Sequence, residues 1–154
     1  MEFRACRLAD PVAMTIMKKF LVLSFSVFAA ASLVSGSLGD GYDQVDDAYG
    51  AIMERHLRDD GTVSVLYKKD RYLYQVTFAN GRSVSESYFH VKGTDLSEKE
   101  IAKFLKANRA GATWMPSSTA GQRRFTRSDG KAEATYAPVN GRPALTVREL
   151  RGKP

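Results

Sequence analysis

The residues of this chain with covalent chemistry are few, and their spacing completes no catalytic motif. Ser128-Asp129-Gly130-Lys131 sets a serine three residues before a lysine, but a serine nucleophile with a lysine base needs the pair one turn apart at a helix start. Asp129-Gly130 is a tight-turn dipeptide, so the sequence predicts a hairpin there. His56 and His90 are the only histidines, and Cys6 is the only cysteine. With no His-Glu-x-x-His or calcium-loop spacing, no metal centre and no cofactor is predicted. Glu54, Glu86 and Glu133 could serve as paired carboxylates of a small hydrolase only if the fold brought them together. Asp43, Asp46 and Asp47, beside Tyr42, read as charge offsetting the positive end of a helix rather than as a cation site. No catalytic residue is assigned.

Binding chemistry is better represented. Tyr72, Tyr74, Tyr88 and Trp114 share the chain with Arg123, Arg124 and Arg127, all residue types enriched among interface anchors. These seven are the candidate binding residues. The alternative is that the aromatics fill the core between sheet and helices, with tyrosine hydroxyls reaching its rim.

Where such residues act depends on the start of the chain. Lys18 and Lys19 precede the apolar run 20–34, and small residues follow at Val34-Ser35-Gly36, the layout of a secretory signal over 17–36 cleaved between Gly36 and Ser37. The run is shorter than the roughly 20 residues a spanning helix needs and contains Ser24, Ser26 and Ser32. Residues 1–16 fit no element and read as an over-extended start, with Met17 the true one. Cleavage removes Cys6, so the exported form is cysteine-free, and no cysteine follows the apolar run to accept a lipid. Loss of Arg4, Arg7, Lys18 and Lys19 against Glu2 and Asp10 takes the net charge from +6 to +4. A mildly basic exported domain points to an envelope protein or an anionic envelope polymer rather than to nucleic acid.

The rest of the chain, 42–154, reads as one α+β domain after a flexible lead-in at 37–41. The glycines of that lead-in follow no strand, so they are no phosphate loop. Val45, Tyr49, Ile52, Met53 and Leu57 recur at helical spacing, predicting a first helix from Tyr42 to Leu57. A meander follows. Taking Lys69-Asp70 as a two-residue turn sets Tyr67 opposite Tyr72 and puts Val63, Val65, Tyr67, Tyr72, Tyr74, Val76 and Phe78 on one face. At Asn80-Gly81, a three-residue loop with Gly81 left-handed sets Val76 opposite Val84 and Glu86 opposite Tyr74, which a strand at the sheet edge tolerates. Ser97 and Glu100 form a capping box with Leu96 and Ile101 as its staple, so a second helix begins there. After Trp114 a loop is expected at 116–121, then a hairpin aligning Phe125 with Ala134 and Arg123 with Tyr136, then a last strand through Leu145 and Val147. The predicted fold is two helices packed on antiparallel hairpins, in the order α-βββ-α-βββ. Asn80-Gly81-Arg82 and Asp129-Gly130-Lys131 each lead to a tyrosine, Tyr88 and Tyr136, which points to a duplicated unit.

Tyr49-Gly50, the tyrosine-rich meander closing on Asn80-Gly81-Arg82, the Leu96-Ser97-Glu98-Lys99-Glu100-Ile101 helix start, Gly111 followed by Trp114, and Arg127-Ser128-Asp129-Gly130-Lys131-Ala132 occur in an order that resembles a family of small exported bacterial proteins of uncharacterised function. The resemblance spans residues 45–148 and implies export and an α+β fold, with no activity or site residue. In layout, a helix followed by a meander is similar to the unit of β-lactamase inhibitory proteins and of the small lipoprotein of the outer-membrane assembly machinery, both binding modules. The chain departs from the second in lacking a lipid-accepting cysteine. Together these readings predict a periplasmic or extracellular, non-catalytic binding module, with a small carboxylate hydrolase of the envelope or a structural envelope protein as the alternatives.

Overall fold

Gly50 cuts in two what the periodicity reads as one helix. A computed structural model describes residues 38–119 and 122–150, so the leader, its cleavage site and residues 1–16 lie outside the described residues. Helix α1, Tyr42–Tyr49, begins where the Gly41 amide donates to Gln44 Oε1 at 2.8 Å and buries Val45, Ala48 and Tyr49 as one stripe. At Gly50 the backbone turns to φ 77° and ψ −124°, and Ala51–Leu57 runs on as strand β1. The expected helix to Leu57 is therefore corrected to a helix and a strand. Ile52, Met53 and Leu57 mimic a helical stripe, yet they are 44%, 53% and 77% exposed on an edge strand that bulges between Ile52 and Glu54.

That corner makes a direct test. A Cβ on Gly50 meets nothing within 4 Å, so a substitution there acts through backbone conformation alone. Gly50→Ala is expected to cost about 1–3 kcal/mol, read as a lowered urea midpoint; an unchanged midpoint would show that the corner relaxes without strain.

Strands β2 (Val63–Lys69) and β3 (Tyr72–Ala79) pair with Tyr67 opposite Tyr74 and Val65 opposite Val76. The turn is thus Asp70-Arg71, with Asp70 at a left-handed φ of 56°, and the register differs by two residues from the expected one. Because side chains alternate with period two, a shift of two leaves the same residues on the same face. Val65, Tyr67, Tyr72, Tyr74, Val76 and Phe78 are all buried.

Asn80 and Gly81 take φ values of 52° and 76°, a two-residue turn into strand β4, Arg82–His90. The extra residue expected in this loop sits inside the strand instead. The register shifts after Phe78–Ser83, so Thr77 faces Ser85, Val76 faces Glu86 and Tyr74 faces Tyr88. Nor is β4 an edge, since its other side pairs with the last strand.

Helix α2, Glu98–Ala107, starts at the capping box: the Ser97 amide donates to Glu100 Oε2 at 2.7 Å, and Ser97 Oγ accepts from the Glu100 amide. It buries Ile101, Phe104 and Leu105. Beyond it come β5 (Trp114–Thr119), β6 (Gln122–Arg127), β7 (Ala132–Val139) and β8 (Arg142–Glu149). The stretch expected as a loop from Pro116 is an edge strand, where a residue without an N–H to donate is tolerated. Arg123 faces Tyr136 and Phe125 faces Ala134, the alignment the Asp129-Gly130 turn predicts.

The molecule is therefore α+β in the order α-ββββ-α-ββββ, which corrects the three-strand halves. One antiparallel sheet runs β1-β2-β3-β4-β8-β7-β6-β5, so the two strands missing from the expected order are its two edges. The halves correspond, but through different turns than expected: Asn80-Gly81-Arg82 matches Asn140-Gly141-Arg142, where Asn140 and Gly141 again take positive φ, 50° and 75°. Residues of both helices join those of the sheet in one apolar core. The segment 38–41 is pinned rather than a flexible lead-in. The Gly39 amide donates to Ser83 O at 2.8 Å, the Ser83 amide to Asp40 O at 2.9 Å, and the Leu38 amide to Asn108 Oδ1 at 3.0 Å.

Candidate functional site

The last turn of α1, the second half of α2 and the β2–β3 turn enclose a groove of about 630 Å³. Its apolar lining comes from Tyr49 and Ala48 on α1, Phe104 and Ala107 on α2, and Tyr74 and Tyr88 on the sheet; Lys69, Asp70, Lys103 and Lys106 supply the charge. The aromatics are ordered as two stacked pairs, Tyr49 on Tyr74 at 4.2 Å and 16°, and Tyr88 on Phe104 at 4.3 Å and 11°. Lys69 Nζ donates to Ala48 O at 2.5 Å, a cation at the negative end of α1. The Lys103 ammonium lies 5.5 Å from the Tyr72 ring and 5.8 Å from the Phe104 ring. None of the three lysines enters an ion pair among the described residues.

Behind the aromatic wall lies a carboxylate. Glu86 is 1% exposed and sits between Val76 on β3 and Val147 on β8. Its Oε2 accepts from Tyr49 OH at 2.8 Å and Tyr88 OH at 2.5 Å, while Asn108 Nδ2 donates to Tyr88 OH at 2.5 Å and to Phe104 O at 3.3 Å. Oε1 has no hydrogen-bond partner among the described residues. Desolvation pushes the Glu86 carboxyl above the usual carboxylate range, against the lowering by the Tyr88 and Tyr49 hydrogen bonds. Burial, reinforced by the neighbouring Glu86 charge, drives both tyrosine hydroxyls well above their ordinary value, so they stay protonated and donate. Tyr74, which also lines the groove, is pushed up to about 12 by burial. Asn108 is itself buried, and its carbonyl accepts from Arg127 Nη1 at 3.1 Å.

The seven candidate binding residues do not form one surface. Tyr72, Tyr74 and Tyr88 are brought together under α2, all of them buried; the Tyr72 hydroxyl donates to Glu100 at 2.6 Å and, with Ser97, holds that carboxyl down to about 2. Trp114 Nε1 donates to Leu105 O at 2.7 Å. Arg123 pairs with Glu98 of α2, Arg124 is exposed beside Gln122, and Arg127 is buried against Asp129 at 2.9 Å. Only Tyr74 and Tyr88 line the groove. The three glutamates considered as a hydrolytic set do not converge: Glu54 is exposed on β1 beside His56 at 3.3 Å, Glu133 on β7 pairs with Arg148, and Glu86 is sealed in the core. Ser128 and Lys131 fall in the β6–β7 turn, where Ser128 Oγ accepts from the Thr113 amide at 3.1 Å. Among the described residues no group of three His, Cys, Asp or Glu side chains gathers, and no helix is long and apolar enough to cross a membrane.

Lys69, Lys103 and Lys106 escape sequence reasoning because on their own elements they read as turn and dipole chemistry. Only the approach of α2 to the end of β2 makes them one rim. Asn108 likewise reads as a helix end. The one available signal for the buried cluster is Glu86, inward-facing in either register of its hairpin.

No family model matches the chain, and no curated protein does. Among solved structures it is similar to a cysteine-rich secretory protein from Staphylococcus aureus, at 12% identity and a TM-score of 0.42, over 72% of this chain and 44% of that one. The chain thus spans less than half the length of that protein.

Proposed function

We propose that this domain is an exported, non-catalytic binding module that engages an envelope protein or an anionic envelope polymer through the groove between its helices. The observation that carries the reading is the groove's composition: a stacked aromatic lining under three ammonium groups with a single carboxylate, Asp70, among them. Pockets of this size with an apolar lining and a few convergent polar groups are the usual places for recognition. The sealing of Glu86 and the dispersal of Glu54 and Glu133 leave no pair of these glutamates at the groove, which favours binding over hydrolysis by paired carboxylates. Export rests on the layout of residues 17–36.

Two measurements test it. Intact mass of the protein recovered from cell fractions is expected to begin at Ser37, outside the cytosol. Cross-linking in the envelope fraction is expected to trap a reproducible partner that is lost when Lys103→Glu and Lys106→Glu are combined. A leader-bearing cytosolic protein, or a partner unaffected by the charge reversal, would overturn the reading.

A further inference from the structure

Resting on the reading that the groove is the working site, we propose that its immediate ligand is a compact amphipathic organic anion: an apolar body with one carboxylate, sulfonate or phosphate group. The groove's floor is apolar, made of Tyr49, Tyr74, Tyr88 and Phe104, buried residues that expose only 1–7% of their surface, with Ala48 and Ala107 beside them, so it suits an apolar body rather than a bare ion. A cavity of about 630 Å³ is the size that encloses a single small ligand or one bulky side group.

The charge is assigned by the lysines. Lys69 is anchored on the Ala48 carbonyl and Lys106 lies in the last turn of α2, so both partly answer helix C-termini. Lys103 has no such role. It stands inside α2, with its ammonium over the Tyr72 and Phe104 rings and no carboxylate partner among the described residues. A cation poised over aromatic faces at the mouth of an apolar cavity is matched by an anion attached to an apolar body. Inorganic anions lack the body and neutral aromatics lack the head, so both are weak ligands here.

The probes are 8-anilinonaphthalene-1-sulfonate, N-phenyl-1-naphthylamine, which keeps the rings and lacks the sulfonate, and inorganic phosphate, each titrated against the purified protein by fluorescence or calorimetry. The sulfonate is expected to bind saturably, the neutral amine about tenfold more weakly, and phosphate neither to bind nor to displace the sulfonate. Combining Lys103→Glu with Lys106→Glu is expected to weaken the sulfonate about tenfold or more, whereas Lys99→Glu, on α2 but outside the groove, leaves it within about twofold. Added salt weakens binding in the wild type and has little effect in the double variant. These lysines are exposed, and an unchanged circular dichroism melt confirms that the variants fold. Equal binding of the amine, displacement by phosphate, or insensitivity to the double reversal would each overturn the ligand class. A cross-linked partner lost on charge reversal, with no sulfonate binding, would retire this inference and leave the binding-module reading standing.

Discussion

Replacing Glu86 with glutamine is expected to raise the stability of the domain at neutral pH by about 1–3 kcal/mol and to remove part of its pH dependence. The carboxylate is 1% exposed, and one of its oxygens has no hydrogen-bond partner among the described residues. In the second half of the fold the corresponding place belongs to Leu145: Glu86 follows Ser85 opposite Thr77 and Val76, as Leu145 follows Ala144 opposite Ala137 and Tyr136. Glutamine keeps an acceptor for the Tyr49 and Tyr88 hydroxyls and removes the charge. Because burial raises its pKa in the folded state, Glu86 holds its proton more tightly folded than unfolded. Its contribution is therefore most favourable below the ordinary carboxylate range and declines as pH rises through its raised folded value. Asp60, Glu98, Glu100 and Asp129 are shifted down and act in the opposite sense, losing their contribution as pH falls. The difference between wild type and Glu86→Gln isolates the buried group. Urea midpoints from about pH 4 to about pH 8 should converge at the acid end and separate toward neutral. A variant less stable at neutral pH, with an unaltered slope, would refute the account.

Tyr88→Phe is expected to cost about 2–4 kcal/mol at neutral pH. It removes a donor to Glu86 Oε2 at 2.5 Å and the acceptor of Asn108 Nδ2 in one step, leaving the charge to the Tyr49 hydroxyl alone. The ring and its stack on Phe104 remain, so packing changes little. The loss should shrink at acid pH, where a neutral acid asks less of its neighbours. In the Glu86→Gln background it should fall by more than about 1 kcal/mol, the coupling that residues sharing one network show in a double-mutant cycle. Strict additivity of the two substitutions would mean that Glu86 and Tyr88 act independently.

Local chemistry was legible wherever a residue type commits the backbone. Ser97 and Glu100 mark the start of α2, and Asp129-Gly130 sets the β6–β7 register. Faces survived even where pairing did not, as the two-residue slip between β2 and β3 shows. What could not be read is what the sheet decides collectively. β1 and β5 bury little and pair on one side only, so Ile52, Met53 and Leu57 could imitate a helix and Pro116 a loop. The centrality of β4 depends on pairing with a strand some sixty residues on, and with it goes the fate of Glu86, tolerable at an edge and costly in the middle. The groove is the same kind of case: its rim lysines come from β2 and α2, its lining from both helices and the sheet, and no periodicity within one element links them.

Every neighbouring pair of strands in the sheet except β4 and β8 is joined by a short hairpin, and that exception brings Ser87 and Thr146, 59 residues apart, to 2.9 Å. Local ribbons zip from nearby encounters, whereas the central join must wait for two preformed halves to collide and align. Glu86 lies on that join, facing Val147 across it. Its dehydration therefore belongs to the closing event of folding, and the energetic toll of the carboxylate falls on the step at which the two halves become one body.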